Sequence, residues 1–150
     1  MEILRWHRAE LPSAIDTLLG EALTTDHEWA AEFRPAWQAH PFIGDGEALL
    51  LAWESKDVLA MAAVSADPHV ADGQTGRLRF IYVRMSARRQ GIAERLVADC
   101  LMLSRGHWKK LRLHTDNPVA ARLYERYGFE AAPDEVRATH ILDMTSPPEA

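Results

Sequence analysis

The stretch "SARRQGIAERL" at residues 86–96 sets two arginines and a glycine directly before an amphipathic sequence. A glycine in the first turn of a helix lets a ligand approach the backbone closely, and the unpaired N–H groups of that turn, with the helix dipole, favour negative charge. Arg88 and Arg89 add positive charge, and a guanidinium can fork onto phosphate oxygens. Phosphate binding is the chemistry this stretch suits; taken alone, it also reads as a solvated basic face. Other reactive residues point nowhere so specific. His107 and His114 are separated by a strand, His27 and His40 lie on or beside a helix far from them, and no zinc-ligand spacing occurs, so no metal site is expected. The one cysteine, Cys100, falls on an apolar stripe and reads as a buried structural thiol. Trp29 and Trp37 read as core or rim residues that could also line a ligand pocket.

The elements that must position these residues follow from periodicity. "EILRWH" reads as a short strand, and "LPSAIDTLLGEAL" and "EWAAEFRPAWQAH" as two helices, the second interrupted or kinked at Pro35. The apolar runs "ALLLAW" and "DVLAMAAVS" flank the turn-like "ESKD" and predict a hairpin. "LRFIYVR" at 78–84 is rich in β-branched and aromatic residues and reads as a strand. After it, Ile92, Leu96, Cys100 and Leu103 recur at helical spacing. "LRLH" at 111–114 completes a strand–helix–strand crossover, whose two strands must be parallel. In "DNPVAARLYERYGF" Asn117 is placed to cap a helix, Pro118 to occupy its first position and Gly128 to end it in the left-handed conformation. "THILDM" is a closing strand, and residues 145–150 read as a flexible tail after a single domain at 1–144.

Charge divides the chain. Residues 1–76 hold 4 Lys/Arg against 13 Asp/Glu, a net −9, whereas residues 77–137 hold 13 against 7, a net +6. An acidic protein with a basic second half is poorly suited to wrapping nucleic acid and well suited to holding a compact anion. The first residues lack the apolar segment of a secretory signal, and no apolar run approaches the ~18 residues of a membrane span, so a cytoplasmic location is expected.

The set Arg88-x-x-Gly91-x-Ala93 after an apolar strand, followed by Asn117-x-x-x-Ala121-x-x-Tyr124-x-x-x-Gly128-Phe129, resembles the GNAT superfamily of acyl-CoA-dependent N-acetyltransferases. The likeness is specific over 78–129; before that it rests on element order. It implies that the backbone amides of Arg89, Gln90, Gly91, Ile92 and Ala93 hold the CoA pyrophosphate in the loop that Arg88 opens. It also implies that Tyr82 and Val83 pair with the pantetheine arm, that Asn117 contacts the cofactor, and that Tyr124 sits by the thioester sulfur. In many members a glutamate four residues before the valine accepts the amine proton; here that position is Arg79. The base is then water, or an acidic or histidine side chain from the N-terminal half. Met85 stands where the family often has proline, and Ala93 replaces a second glycine.

The resemblance implies an α/β fold: a mixed, mostly antiparallel sheet of about seven strands with about four helices, splayed around the cofactor at the crossover unit. The expected function is direct transfer of an acetyl group from acetyl-CoA, as cosubstrate, to a primary amine of a small molecule or peptide, without a metal. Two alternatives are a non-catalytic acyl-CoA sensor and a mononucleotide-binding protein using the same turn. The expected partners are acetyl-CoA and the amine, with no nucleic acid and no membrane; homodimerisation is left open. Within the acidic half, Asp26, His27 and Glu28 are candidates to attract a cationic amine and take its proton. Otherwise Thr25 or Asp26 caps the second helix and Glu28 complements its dipole.

Overall fold

The computed structural model describes residues 1–145, so all but the first residue of the expected tail lies outside the described residues. The chain runs β1 (Glu2–Arg5), α1 (Ile15–Thr24), α2 (Trp29–Ala39), β2 (Ala48–Glu54), β3 (Asp57–Ala66), β4 (Thr75–Val83), α3 (Ile92–Ser104), β5 (Lys110–Leu113), α4 (Pro118–Arg126), β6 (Glu130–Ala131) and β7 (His140–Asp143). Its single α/β domain is built on a seven-stranded sheet in the order β1-β2-β3-β4-β5-β7-β6. Every neighbouring pair is antiparallel except β4 with β5, the two strands joined by the α3 crossover. No helix among the described residues is long and apolar enough to cross a membrane.

Strand alternation sends successive side chains to opposite faces, and both faces of the central strands are covered. On one face Leu50, Ala52, Ala60, Ala62 and Val64 pack with Leu96, Val97 and Cys100 of α3 and Tyr124 of α4. On the other, Leu49, Leu51, Met61 and Ala63 pack with Leu18 of α1 and with Phe33 and Trp37 of α2. The expected interruption at Pro35 does not occur: α2 is one helix from Trp29 to Ala39 with the proline inside it. Phe33 and Trp37, on either side of Pro35, are both held in the core, which fixes the helical path through a position where the proline ring faces solvent.

The cap expected at the start of α2 is also absent. Its N-cap is Glu28, in helical conformation and without a side-chain cap. The Thr25 hydroxyl instead bonds back to the Glu21 and Ala22 carbonyls at the end of α1, and Asp26 takes a φ of +61° in the turn between the helices.

A bulge in β4 governs which residues face which helices. Between the pairs Ala63↔Arg79 and Met61↔Tyr82, β3 advances two residues while β4 advances three, and Phe80 in the extra step has φ +58°. The extra residue breaks the alternation. Leu78 packs under α3, but Phe80 and Tyr82 face α1 and α2.

Candidate active site

The crossover strands touch at one end and part at the other. β4 and β5 share only the pairs Thr75↔Lys110, Gly76↔Leu111 and Arg77↔Arg112. Gly76 makes that end tight, since a Cβ there would lie 2.7 Å from Leu111 and 2.8 Å from Trp108. Beyond Arg77, β5 pairs onward only with β7 and β4 only with β3. One edge of β4 is therefore left open towards the turn that precedes α3. The Arg84 N–H bonds to the Leu59 carbonyl, which fixes Val83 as the residue whose N–H and C=O face that open edge, whereas those of Tyr82 turn towards β3. The Val83 carbonyl accepts a 3.0 Å hydrogen bond from Arg88 Nε, and the same guanidinium lies 5.5 Å over the Tyr82 ring.

The turn is folded to expose its amides. After a 3₁₀ turn at Met85–Ala87, Arg89 and Gly91 both adopt positive φ, +64° and +74°, and Gly91 is the N-cap of α3. Among the described residues, none of the N–H groups of Arg89, Gln90, Gly91, Ile92 and Ala93 has an acceptor. A run of unpaired amides at the positive end of a helix is an anion cradle. The Arg88, Arg89 and Gln90 residues are exposed, Ile92 is buried beneath the turn, and Ala93 is half-buried. Glu94, the acid nearest the cradle, pairs through Oε1 with Arg126 of α4 at 3.3 Å, while its Oε2 stays beside Gly91, 3.2 Å from where a Cβ there would stand.

Asn117 caps α4 as its position implies, its Oδ1 accepting from the N–H groups of Val119 and Ala120, with Pro118 following and Gly128 at φ +100°. Tyr124 is 8% exposed and packs edge-on to Phe129. Burial pushes its pKa up to about 12, so the phenol stays protonated at neutral pH. Cys100 is fully buried beside it, and burial raises its thiol far above the ordinary range.

On the opposite face of β4 the structure assembles a chain of polar groups that sequence reasoning only half found. Tyr82 donates to Glu21 Oε2 at 2.6 Å, and the same oxygen accepts from the Met85 N–H at 2.9 Å. Partial burial pushes the Glu21 carboxyl up, but these hydrogen bonds and Arg84 together hold it below the usual range and therefore ionised. The Tyr82 phenol is raised above its ordinary value by burial and by its bond to Glu21. Thr25 Oγ1 lies 3.3 Å from the Tyr82 hydroxyl and 3.1 Å from His27 Nδ1, while also contacting two α1 carbonyls. Thr25 has one proton and can donate it to either α1 carbonyl. With the proton placed there, Thr25 accepts from Nδ1–H and the Nε2 of His27 is an acceptor.

The His27 ring stands edge-on to Tyr82 at 4.9 Å, and Trp29 completes the wall at 5.6 Å from Phe80 and 6.4 Å from Tyr82. Trp37 is buried in the core instead. Asp26 and Glu28 are exposed and make no side-chain hydrogen bond or ion pair to a described residue. Of the three acidic-half candidates, only His27 is brought to β4. Glu21 escaped the sequence reading because nothing in its local pattern distinguishes it from a solvated helix residue. Among the described residues there is no cluster of three His, Cys, Asp or Glu able to hold a metal.

Comparison with known proteins agrees with this fold. The family model described as the acetyltransferase (GNAT) family matches residues 2–129. A structure from Exiguobacterium sp. 255-15, assigned to the acetyltransferases, superposes with a TM-score of 0.82 at 24% identity, covering 97% of this chain and 95% of that one. A GNAT-family acetyltransferase from Staphylococcus aureus Mu50 gives 0.72 at 14% identity, covering 95% and 98%. The ribosomal-protein-alanine N-acetyltransferase of Brucella melitensis gives 0.67 at 19%, covering 95% and 96%. Comparison with curated protein sequences finds no significant match.

Proposed function

Because the chain belongs to the acetyltransferase (GNAT) family, we propose that it transfers an acetyl group from acetyl-CoA directly to a primary amine of a small molecule or peptide. The observation that carries this reading is the unpaired amide run of Arg89 to Ala93 at the head of α3, beside the open edge of β4. In the proposal these amides hold the pyrophosphate, with Arg88 and Arg89 adding charge. Val83 supplies backbone groups to the pantetheine arm, and Asn117 contacts the cosubstrate from α4. Tyr82 has its backbone in the β3 ladder and serves through its side chain, as the platform for His27.

The chemistry needs a neutral amine and a stabilised leaving thiolate. In this reading His27 Nε2 accepts the proton of the acceptor ammonium, the freed amine attacks the thioester carbonyl, and the carbon–sulfur bond breaks as the amide forms, the second nitrogen proton passing by way of solvent to the released thiolate. Tyr124 donates a hydrogen bond to the departing sulfur. A phenol near pKa 10 is uphill of a thiol near 8.5 by about 2 kcal/mol for complete proton transfer, and burial of Tyr124 widens the gap. Its part is therefore hydrogen-bond donation.

A panel of amines and peptides, read by release of free CoA thiol, tests the reading. Steady acceptor-dependent release is expected. Tight acetyl-CoA binding with no release for any acceptor would replace the transferase with an acyl-CoA sensor on the same fold.

A further inference from the structure

Arg79 occupies the strand position at which the resemblance places a glutamate, and its surroundings are unlike those of the other arginines whose Nε is buried without a hydrogen bond. Four arginines have an Nε that is buried without a hydrogen bond: Arg5, Arg79, Arg84 and Arg112. Arg5 donates to the carbonyls of Gly44 and Glu47, Arg84 pairs with Glu21, and Arg112 reaches Asp67 and the Val136 carbonyl. Arg79 makes no hydrogen bond or ion pair with any described residue. Arg77, two positions earlier on the same face, is tied to Asp67 at 3.3 Å.

Arg79 is nonetheless held in place. The bulge at Phe80 keeps both residues on the α1/α2 face, and the guanidinium lies 4.5 Å from the Phe80 ring centroid and 5.0 Å from that of Phe42. Phe80 in turn packs on Trp29, which contacts His27 and Tyr82. The fork of donors thus belongs to the same aromatic wall as the candidate base. Burial, and after it the charge of Arg77, lowers its pKa to about 10, which leaves it cationic at neutral pH. A half-buried cation whose Nε is buried without an acceptor is costly unless an anion offsets its charge. The carboxylate of Glu47 does not do so, being engaged by His40 at 2.8 Å and by the Ala66 N–H at 3.0 Å.

We propose that Arg79 is an acceptor-binding residue, so that the amine acetylated by this protein also carries a carboxylate, as a free amino acid does. This rests on the transferase reading above. A planar guanidinium stacked on its face offers one edge for bidentate contact, which fits a carboxylate. A phosphate dianion calls for further cations, and the neighbouring Arg77 already spends its terminal nitrogens on Asp67 and the Arg137 carbonyl.

Matched pairs of amino acids and their carboxamides, with ethanolamine and phosphoethanolamine as a third arm, provide the test through thiol release. The wild-type protein is expected to favour the free acids in kcat/KM. The acid-to-amide ratio should fall about 10- to 100-fold in Arg79→Met, mostly through KM, and recover in part in Arg79→Lys. Equal use of acids and amides by the wild type would overturn the inference while leaving acetyl transfer intact, and a preference for phosphoethanolamine would overturn the carboxylate. If no amine gives thiol release, the transferase reading fails instead. Calorimetry with N-acetyl amino acids and their amides in the presence of CoA then decides the site: binding confined to the acids and lost in Arg79→Met supports it, and equal or no binding overturns it.

Discussion

The two faces of β4 are built by different means. Towards α3 the strand offers a backbone edge and a turn of unpaired amides, shaped by two residues of positive φ; the side chains there mostly fill the core. Towards α1 and α2 it offers side chains, Arg79, Phe80 and Tyr82, completed by His27, Thr25 and Glu21 from the acidic half. A backbone cradle binds whatever carries phosphate there, whereas a side-chain wall can be altered one residue at a time. In the proposed division the first face binds the donor and the second chooses the acceptor and starts the chemistry.

Substitutions that uncouple the two faces test this division. The largest effect is expected from His27→Gln, which removes the base: turnover should fall by about 10²- to 10³-fold with acetyl-CoA affinity retained. Wild-type turnover in this variant would move the base off the α1–α2 turn. Gly91→Asp should do the converse, weakening CoA binding by roughly 100-fold, because it sets a side chain at φ +74° and a negative charge in the cradle. Equal affinities for the two proteins by calorimetry would sink the cradle.

Tyr124→Phe should lower single-turnover acetyl transfer by about 10-fold while CoA binding stays nearly unchanged. Since burial holds that phenol protonated to about pH 12, its loss should not alter the alkaline side of the profile. The smallest effect belongs to Glu28→Gln. Exposed and unpaired, Glu28 can act only at range, raising KM for a cationic acceptor by about twofold at low salt and not at all at high salt. A salt-independent change would assign it a direct contact.

The same contrast explains what could be read without coordinates. The α3 stripe, the Asn117 cap, Pro118 and Gly128 are local devices whose partners lie within a few residues, so residue type and spacing reveal them. The parallel crossover followed from a helix lying between two strands. The side-chain wall depends on contacts across long sequence separations: Glu21 meets Tyr82 sixty-one residues away, and no periodicity encodes that meeting. The bulge was hidden because Phe80 suits an ordinary strand, and only its pairing with β3 displays the extra residue. The break expected at Pro35 and the cap expected at Thr25 failed for one reason. A local preference, breaking a helix or capping one, was outweighed by packing of Phe33 and Trp37 and by the hydroxyl's bonds to α1. The two-residue β6 is too short to carry a pattern and exists through its pairing with β7.

The buried Cys100 has a practical consequence for kinetics. It is the one thiol of the chain, and it lies wholly within the layer between α3 and the sheet. A thiol-specific dye added to a reaction therefore colours only with released CoA while the fold stays closed. Left with the protein alone, the same dye becomes a clock for excursions of α3 away from the sheet, since labelling must wait for each opening. Saturating acetyl-CoA, which has no free thiol and is held at the head of that helix, should slow the clock in proportion to its binding, giving an affinity for the donor without any acceptor being known.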